Sequence, residues 1–381
     1  MNYLVLGRPQ DCVDHHEWCL KNGHNVEYIE PDQIRFDKLS IYNDIVSFND
    51  GYQVEVERLR QIAGLPGRGE DAIKIFTDKS LFKNDKNISK YCIKFAEFSP
   101  DISAQAAIDE VLKTLKFPVV IKPSNGFYSA GVVRADDLAT FKRAYTQARR
   151  MCTTLADRST PAKIIVETYL DGKEFAIDGF VINNVVIPLI IHKKFPHLSG
   201  PTFHEVAYIT ESFDRTKGAN SFSILKDIIE CTGLNNTPFH AEFRFDSNGK
   251  LYILEIAPRL AGGGATTQNL LGICTGLDAY ELLHSLGTSD PILEAKFSFF
   301  GMEYDFAVAK SGALVNVDFI ANECKKLGAV NVVQRRKNGD FVIGPPSNVD
   351  AILTAFFKAN SMQDSLDLFN HISNKLKVDT E

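Results

Sequence analysis

Two alternating segments flank an Asn248-Gly249 pair in the run His240-Ala-Glu-Phe-Arg-Phe-Asp-Ser-Asn-Gly-Lys-Leu-Tyr-Ile-Leu-Glu-Ile-Ala-Pro-Arg259. Period-two patterning around such a pair specifies an antiparallel hairpin with a tight two-residue turn. With Ser247 opposite Lys250, Asp246 faces Leu251, Arg244 faces Ile253, Glu242 faces Glu255 and His240 faces Ala257, all on one side of the ribbon. The other side carries Ala241, Phe243, Phe245, Tyr252, Leu254 and Ile256, and is expected in the core. Two directly opposed carboxylates destabilise a bare sheet, so a positive partner is expected beside Glu242 and Glu255. Oxygen-only ligands with room for water and phosphate suit magnesium better than a soft metal. For the hairpin taken alone, Arg244 and Arg259 neutralising the pair without a metal is an equally good reading.

The chain has 381 residues, enough for two or three domains and a sizeable core. Its 44% hydrophobic and 24% charged content places it with ordinary globular proteins rather than disordered or membrane-spanning ones. A net charge of −6 argues against nucleic acid or an anionic membrane as principal partner. No apolar run approaches the roughly 20 residues that span a bilayer. The start, from Met1 to Arg8, reads as a first strand rather than a cleaved signal. Seven scattered cysteines without a Cys-x-x-Cys pair fit a reducing compartment and argue against a disulfide framework or structural zinc. A cytoplasmic location is the expectation.

The opening alternates strand (Tyr3–Leu6), helix (Cys12–Lys21), strand (Val26–Ile29), a further strand near Ile41–Phe48 and a helix near Val54–Ile62. That pattern predicts a small α/β layer with an open parallel sheet. Gly7-Arg8-Pro9 follows the first strand but lacks the G-x-G-x-x-G spacing, so no nucleotide site is assigned there. A second unit follows: helix Ala104–Leu115, strand Val119–Lys122, a Gly/Ser loop, helix Leu138–Arg150, and strands Ile164–Tyr169 and Glu174–Val181 joined by a turn at Leu170-Asp-Gly-Lys. Strand-like runs at Phe297–Phe300, Ala313–Asp318, Val330–Gln334 and Phe341–Ile343 precede a helix near Ser365–Leu376. Arg335-Arg336-Lys337 before Asn338-Gly339 reads as a solvated hairpin tip.

Lys122-Pro-Ser-Asn-Gly-Phe-Tyr-Ser-Ala-Gly-Val132 is a strand entering a loop of small residues, where backbone N–H groups approach an anion. It is not a P-loop, because the lysine precedes the glycines; alone, an ordinary surface hairpin is the commoner meaning. Glu167 and Glu174 frame a strand–turn segment that offers backbone hydrogen bonds and a carboxylate to a purine nucleoside, although strand-end glutamates usually just face water. The segment Ile191-His-Lys-Lys-Phe-Pro-His-Leu-Ser-Gly-Pro-Thr-Phe-His204-Glu205 is basic and interrupted by Pro and Gly. A solvated loop is an equal reading for its charged residues. No cysteine sits in a nucleophile context, which disfavours a Cys–His hydrolase.

In order, Thr-Asp-Lys79, Val-Val-Ile-Lys122-Pro-Ser with Ser129-x-Gly131-Val132, Val-Glu167-x-Tyr-Leu-Asp-Gly-x-Glu174, Glu242, and Leu-Glu255-Ile-Ala-Pro-Arg259-Leu-Ala-Gly-Gly resemble the ATP-grasp superfamily, carboxylate–amine ligase type. The resemblance covers roughly Ile75 to Gly264, about half the chain. It implies a mixed α/β and α+β fold in three parts: an N-terminal α/β domain over residues 1–100, a central lid domain over 101–181, and a C-terminal α+β domain over 182–381 whose later segments shape a substrate pocket.

The resemblance also implies roles. Lys79 and Lys122 match two ATP lysines, Ser124 to Gly131 (with Ser129 and Gly131) a loop closing over the triphosphate, and Glu167 through Tyr169 and Leu170 an adenine hinge. Glu174 matches a ribose-binding acid, Glu242 and Glu255 the magnesium ligands, and Arg259 the arginine steadying an acyl phosphate. Gly262 and Gly263 would supply backbone donors there, and Lys193, His204, Glu205 and Arg244 are candidates for phosphate contact and substrate recognition. The activity implied is ATP- and magnesium-dependent joining of a small carboxylate to an amine through an acyl phosphate, with two ions and manganese as a substitute. The partners implied are small molecules, with no nucleic acid and no membrane; a homodimer is compatible.

Ala257 stands where many such enzymes have Asn, two residues after the second glutamate. That removes a metal ligand, and His240 opposite it either fills the gap or simply caps the hairpin. The alanine resembles the variant in some dipeptide-forming amino-acid ligases. Phe127-Tyr128 replace smaller loop residues and either shield phosphates or pack the closed loop. The alternatives on the same scaffold are a carboxylate–thiol ligase, a small-molecule kinase, or a non-catalytic ATP-binding regulator.

Overall fold

Alternating apolar runs pair into three main sheets in the computed structural model, which describes residues 1–126, 129–154, 162–287, 299–344 and 352–381. Strands β1 (Asn2–Leu6), β2 (Asn25–Ile29) and β3 (Asp44–Val46) form a parallel sheet in the order β2-β1-β3. Leu4, Ile45 and Leu59 fill one face; Val5 and Val46, on the other, join the larger core described below. The strand expected at Ile41–Phe48 shrinks to three residues because a 3-10 helix, Phe36–Ile41, occupies the approach.

The second sheet, β4 (Phe95–Phe98), β5 (Val119–Pro123), β6 (Val133–Ala135) and β7 (Ile164–Thr168), is antiparallel in the order β4-β7-β5-β6. Helices Ala104–Thr114 and Leu138–Thr154 cover it through Ile108, Val111, Phe141 and Tyr145. This sheet begins at Phe95, ahead of the boundary expected at 101, and Glu174–Ile182 pairs elsewhere.

The third sheet has eight strands: β8 (Glu174–Ile182), β9 (Val185–Phe195), β10 (Ala207–Ser212), β11 (Thr237–Phe245), β12 (Leu251–Ala257), β13 (Phe300–Phe306), β15 (Ala329–Gln334) and β17 (Leu353–Ala359), with a two-stranded ribbon, β14 (Gly312–Ala313) and β16 (Phe341–Val342), set apart. Its order is β12-β11-β8-β9-β10-β13-β17-β15. A helix at Ala265–Thr275 packs Leu270, Leu271 and Cys274 against Phe180, Ile190 and Tyr208, in the same core as Val5 and Val46 of the first sheet. That shared core fixes the N-terminal layer beside the large sheet. The run Ala313–Asp318, expected as strand, turns helical at Val317, whose N–H is capped by the Asn338 side chain at 2.7 Å. Of the expected strand Phe297–Phe300, Phe297 and Ser298 lie outside the described residues, and the strand found begins at Phe300.

The β11–β12 hairpin differs from its expected register in two places that cancel. Phe245 pairs with Leu251 and Asp246 N–H bonds Lys250 O at 2.9 Å, so Ser247, Asn248 and Gly249 form a three-residue loop. Asp246 caps it by accepting from Asn248 and Lys250 N–H, both at 2.9 Å. A bulge then places Leu254 as the extra residue between Phe243–Ile253 and Glu242–Glu255. Arg244 therefore faces Tyr252, not Ile253; Ile253 is fully buried, and Leu254 turns to the cleft instead of the core. Glu242–Glu255 and His240–Ala257 pair as expected.

Candidate active site

The polar faces of β8 to β12 meet in rows across the large sheet. One row runs Glu255, Glu242, Ala176, His192, Thr210, and the neighbouring one carries Arg244 against Glu174 and Lys194 against Tyr208. Above them opens a cleft of about 500 Å³, whose other walls come from β5, from Gly126, Ser129, Ala130 and Val132, and from the ends of β1 and β3.

Glu174, Glu205 and Glu242 bring carboxylate oxygens within 4.8 Å of one another. Lys194, only 6% exposed, sits among them at 2.6, 2.5 and 2.8 Å. Burial works against its charge, but the three acids outweigh that and hold the ammonium well above the ordinary lysine range. Glu255 has its own ammonium, Lys79 at 2.5 Å, and Lys79 also donates to Gly126 O at 2.9 Å. Each opposed carboxylate thus finds the positive charge its register demanded, from lysines. Arg244 goes instead to Glu174 at 2.9 Å and Arg259 forms a two-pronged pair with Asp50 at 2.8 and 2.7 Å. The all-oxygen donor set fits a hard divalent cation held by Glu242 and Glu255.

Beneath Glu242, Asp178 accepts from buried His240 at 2.5 Å and from Thr267 at 2.6 Å, with His192 Nε2 at 3.1 Å. Burial opposes charge on His240, but Asp178 and Glu242 push the imidazole up to about 10. Its Nδ1 is taken by Asp178 and its Nε2 lies 3.4 Å from Glu242, so His240 braces that carboxylate rather than replacing the missing Asn.

On the opposite wall, Glu167 lies between Lys122 at 2.6 Å and Lys83 at 2.9 Å, all three buried. Burial raises the Glu167 carboxyl, yet the two ammonium groups bring it down to about 2. The carboxylate expected at an adenine is thus engaged by lysines, while Tyr169 and Leu170 line the cleft beside it. The Arg134 guanidinium lies 4.4 Å from the Tyr169 ring centre. Gly172 bonds Phe245 O at 3.0 Å, and an added Cβ would sit 2.5 Å from that oxygen, so only glycine lets this turn rest on β11. Ser129 lines the cleft with a positive φ of 52°, while Gly131 packs against Met151 instead. Phe127 and Tyr128, the aromatics set against the phosphates by sequence, lie outside the described residues.

The third wall holds Arg259, Gly262 and Gly263. Gly263, at φ 68°, would bring a Cβ to 2.7 Å from Asp11 O of the N-terminal layer. Thr266 Oγ1 donates to Glu303 Oε1 at 3.0 Å. Burial, then Asp305, pushes the Glu303 carboxyl well above the usual carboxylate range.

Besides Gly131, two expected residues fall outside the cleft lining. Lys193 points to the reverse face of β9 and pairs with Glu211 at 2.5 Å; strand alternation gives the site to Lys194. His204 is not among the lining residues, although its neighbours Phe203 and Glu205 are; its Nε2 is buried without a hydrogen-bond partner among the described residues, and it lies near Asp305. Arg335 and Arg336 line the cleft too, although Arg336 and Lys337 are exposed, as a solvated turn has them; Arg335 bonds Thr354 Oγ1 at 2.5 Å. Lys83 was missed although it lies four residues after Lys79 on one helix, Lys79–Asn84, a spacing that puts both on one face. Glu303 and Asp305 alternate along a strand, a signal that burial alone makes meaningful.

Residues 115–268 match the ATP-grasp domain family. The chain is 26% identical over 219 residues to the alanine–anticapsin ligase of Bacillus amyloliquefaciens, covering 52% of this chain and 44% of that protein. It is 26% identical over 255 residues to a D-alanine–D-alanine ligase of Pelagibacter ubique, covering 62% and 78%. Its fold superposes on an L-amino acid ligase from Bacillus licheniformis with a TM-score of 0.82 and 17% identity, over 100% of this chain and 98% of that one. The match thus spans less than half the length of the first of these relatives.

Proposed function

We propose that this chain, which carries an ATP-grasp domain, is an ATP- and magnesium-dependent carboxylate–amine ligase that joins an amino acid or small carboxylate to an amine, releasing ADP and phosphate. The observation carrying this reading is the opposed Glu242–Glu255 pair facing one cleft with Lys79, Lys122 and Arg259. The alanine- and amino-acid-ligase relatives support the substrate class.

Glu242 and Glu255 would hold a divalent cation, which would neutralise charge on the phosphoryl group being transferred. Lys79 and Lys122 hold the phosphates, with Gly126 and Ser129 to Val132 beside them, while Tyr169 and Leu170 receive the base. Glu174, engaged by Lys194 and Arg244, is the candidate for the ribose. A donor carboxylate oxygen attacks the γ-phosphorus and ADP leaves; the amine nitrogen then attacks the acyl carbon, loses a proton, and phosphate departs. Arg259 steadies the carboxyl during both displacements, and Gly262 and Gly263 line the same region. Water must be excluded, since it would hydrolyse the mixed anhydride.

The test is phosphate release from ATP and magnesium over pooled amino acids and small acids, with mass spectrometry of productive mixtures. Release that needs a substrate pair, vanishes in Glu255→Gln and yields a product one water lighter than the sum supports the ligase. Release without such a product sinks it in favour of a hydrolase.

A further inference from the structure

The carboxylates lining the cleft nearly all have a basic partner: Asp11 has Arg8, Asp50 has Arg259, Glu167 has Lys83 and Lys122, Glu174, Glu205 and Glu242 share Lys194, and Glu255 has Lys79. Glu303 and Asp305 are the exceptions: among the described residues neither forms an ion pair. They lie two apart on β13, so strand geometry turns both to the cleft. Glu303 is 5% exposed; its Oε1 accepts from Thr266, and its Oε2 is buried without a hydrogen-bond partner among the described residues. Asp305 Oδ1 accepts from Thr354 Oγ1 at 2.5 Å. A buried acceptor left bare costs about 1–3 kcal/mol, which a ligand bearing a donor removes.

The location narrows the ligand. Thr266, the partner of Glu303, stands two residues beyond Gly264, and an added Cβ on Gly262 would run into it. That turn follows Arg259 directly, so Glu303 sits beside the place where the donor carboxyl is steadied. Arg335 reaches the same end and its charge acts on both acids, as that of His204 does on Asp305, but its hydrogen bonds go to Gly262 O at 3.5 Å and to Thr354 Oγ1, so among the described residues no basic group bonds either carboxylate directly. The two acids do not belong to either group of converging metal-ligand atoms found among the described residues. A primary ammonium, with its charge and N–H donors on one small group, meets these requirements.

Resting on the ligase reading above, we propose that Glu303, aided by Asp305, receives the free ammonium of the carboxylate donor, so that the acid activated by ATP is itself an amino acid. The amine acceptor then enters from another side. This makes Glu303 a specificity-determining residue.

Hydroxylamine tests the donor alone: its nitrogen attacks the acyl carbon, phosphate leaves, and a hydroxamate accumulates without any natural acceptor. Full-length protein is given ATP, magnesium, hydroxylamine and either amino acids or the same acids lacking the amino group, such as alanine against propionate. The expected result is hydroxamate from amino acids with kcat/KM at least about 10-fold above their counterparts, as one hydrogen bond to a charged group supplies. Glu303→Gln should raise KM for the amino acid about 10- to 100-fold, leave KM for ATP unchanged, and bring the two acids' kcat/KM values together. Asp305→Asn should do the same more weakly, and both melting curves report whether the fold is kept. Equal use of both sets by the unaltered protein, or undiminished discrimination in a folded Glu303→Gln, overturns this assignment and leaves the ligase standing. No hydroxamate from any acid of either set overturns the ligase reading and this assignment with it.

Discussion

On the wall built by the four-stranded sheet and helix Lys79–Asn84, two lysines share one carboxylate; on the wall of the eight-stranded sheet, one lysine and one arginine serve three. Both clusters are compact, so neither is decorated surface. The first carries a surplus of positive charge where Lys122 and Glu167 line the cleft, and suits a polyanion. The second carries a surplus of negative charge, and suits a cation. A phosphate chain bridged to a metal needs that asymmetry across the space where it lies.

The comparison breaks most sharply at Lys194. Lys194→Met leaves three carboxylates crowded with one arginine, and should destabilise the protein by about 3–5 kcal/mol, against about 0–1 kcal/mol for Lys193→Met on the reverse face. Urea unfolding of both variants measures it, and equal losses would reverse the assignment of the faces. Glu255→Gln should lower turnover about 100- to 1,000-fold by removing half of the opposed pair, read as substrate-dependent phosphate release. On the positive wall, Lys122→Met should weaken ATP binding about 10- to 100-fold by calorimetry; an unchanged affinity would mean that the lysine cluster is structural only.

The smallest effect concerns acid. Glu167 is held down to about 2, below its ordinary value of 4.5, so its ion pairs contribute stability that is fully present above about 4.5 and is lost as pH falls towards 2. Glu167→Gln should remove that part of the acid dependence while lowering stability at neutral pH. If the stability–pH curves of the two proteins run parallel between pH 4.5 and 2, the cluster is not the ionised one described.

The order of chemical motifs along the chain was legible because each depends on local patterning: a strand-end lysine before small residues, an Asp-Gly turn, paired glutamates in a hairpin. What escaped was set by neighbours distant in sequence. His192-Lys193-Lys194 gives no parity of its own, and the face is decided by pairing of Lys194 with Tyr208 and by the row through Glu174. Arg335 and Arg336 looked like a turn because Asn338-Gly339 follows, but β15 runs at the sheet's edge and delivers them to the cleft. The opposed glutamates were placed correctly through two errors of one residue each, a loop longer than expected and a bulge that restores the count.

That bulge has a consequence for how the hairpin tolerates change. Leu254 absorbs the offset between the tip and the acid pair, and Glu242 is held independently by pairing with Ala176 on β8. Residues gained or lost around Ser247–Gly249 can therefore be accommodated in the outer rungs, with Glu242 and Glu255 still opposed. The tip is free to drift in length over generations of sequence change, while the chemistry a few rungs away keeps its alignment.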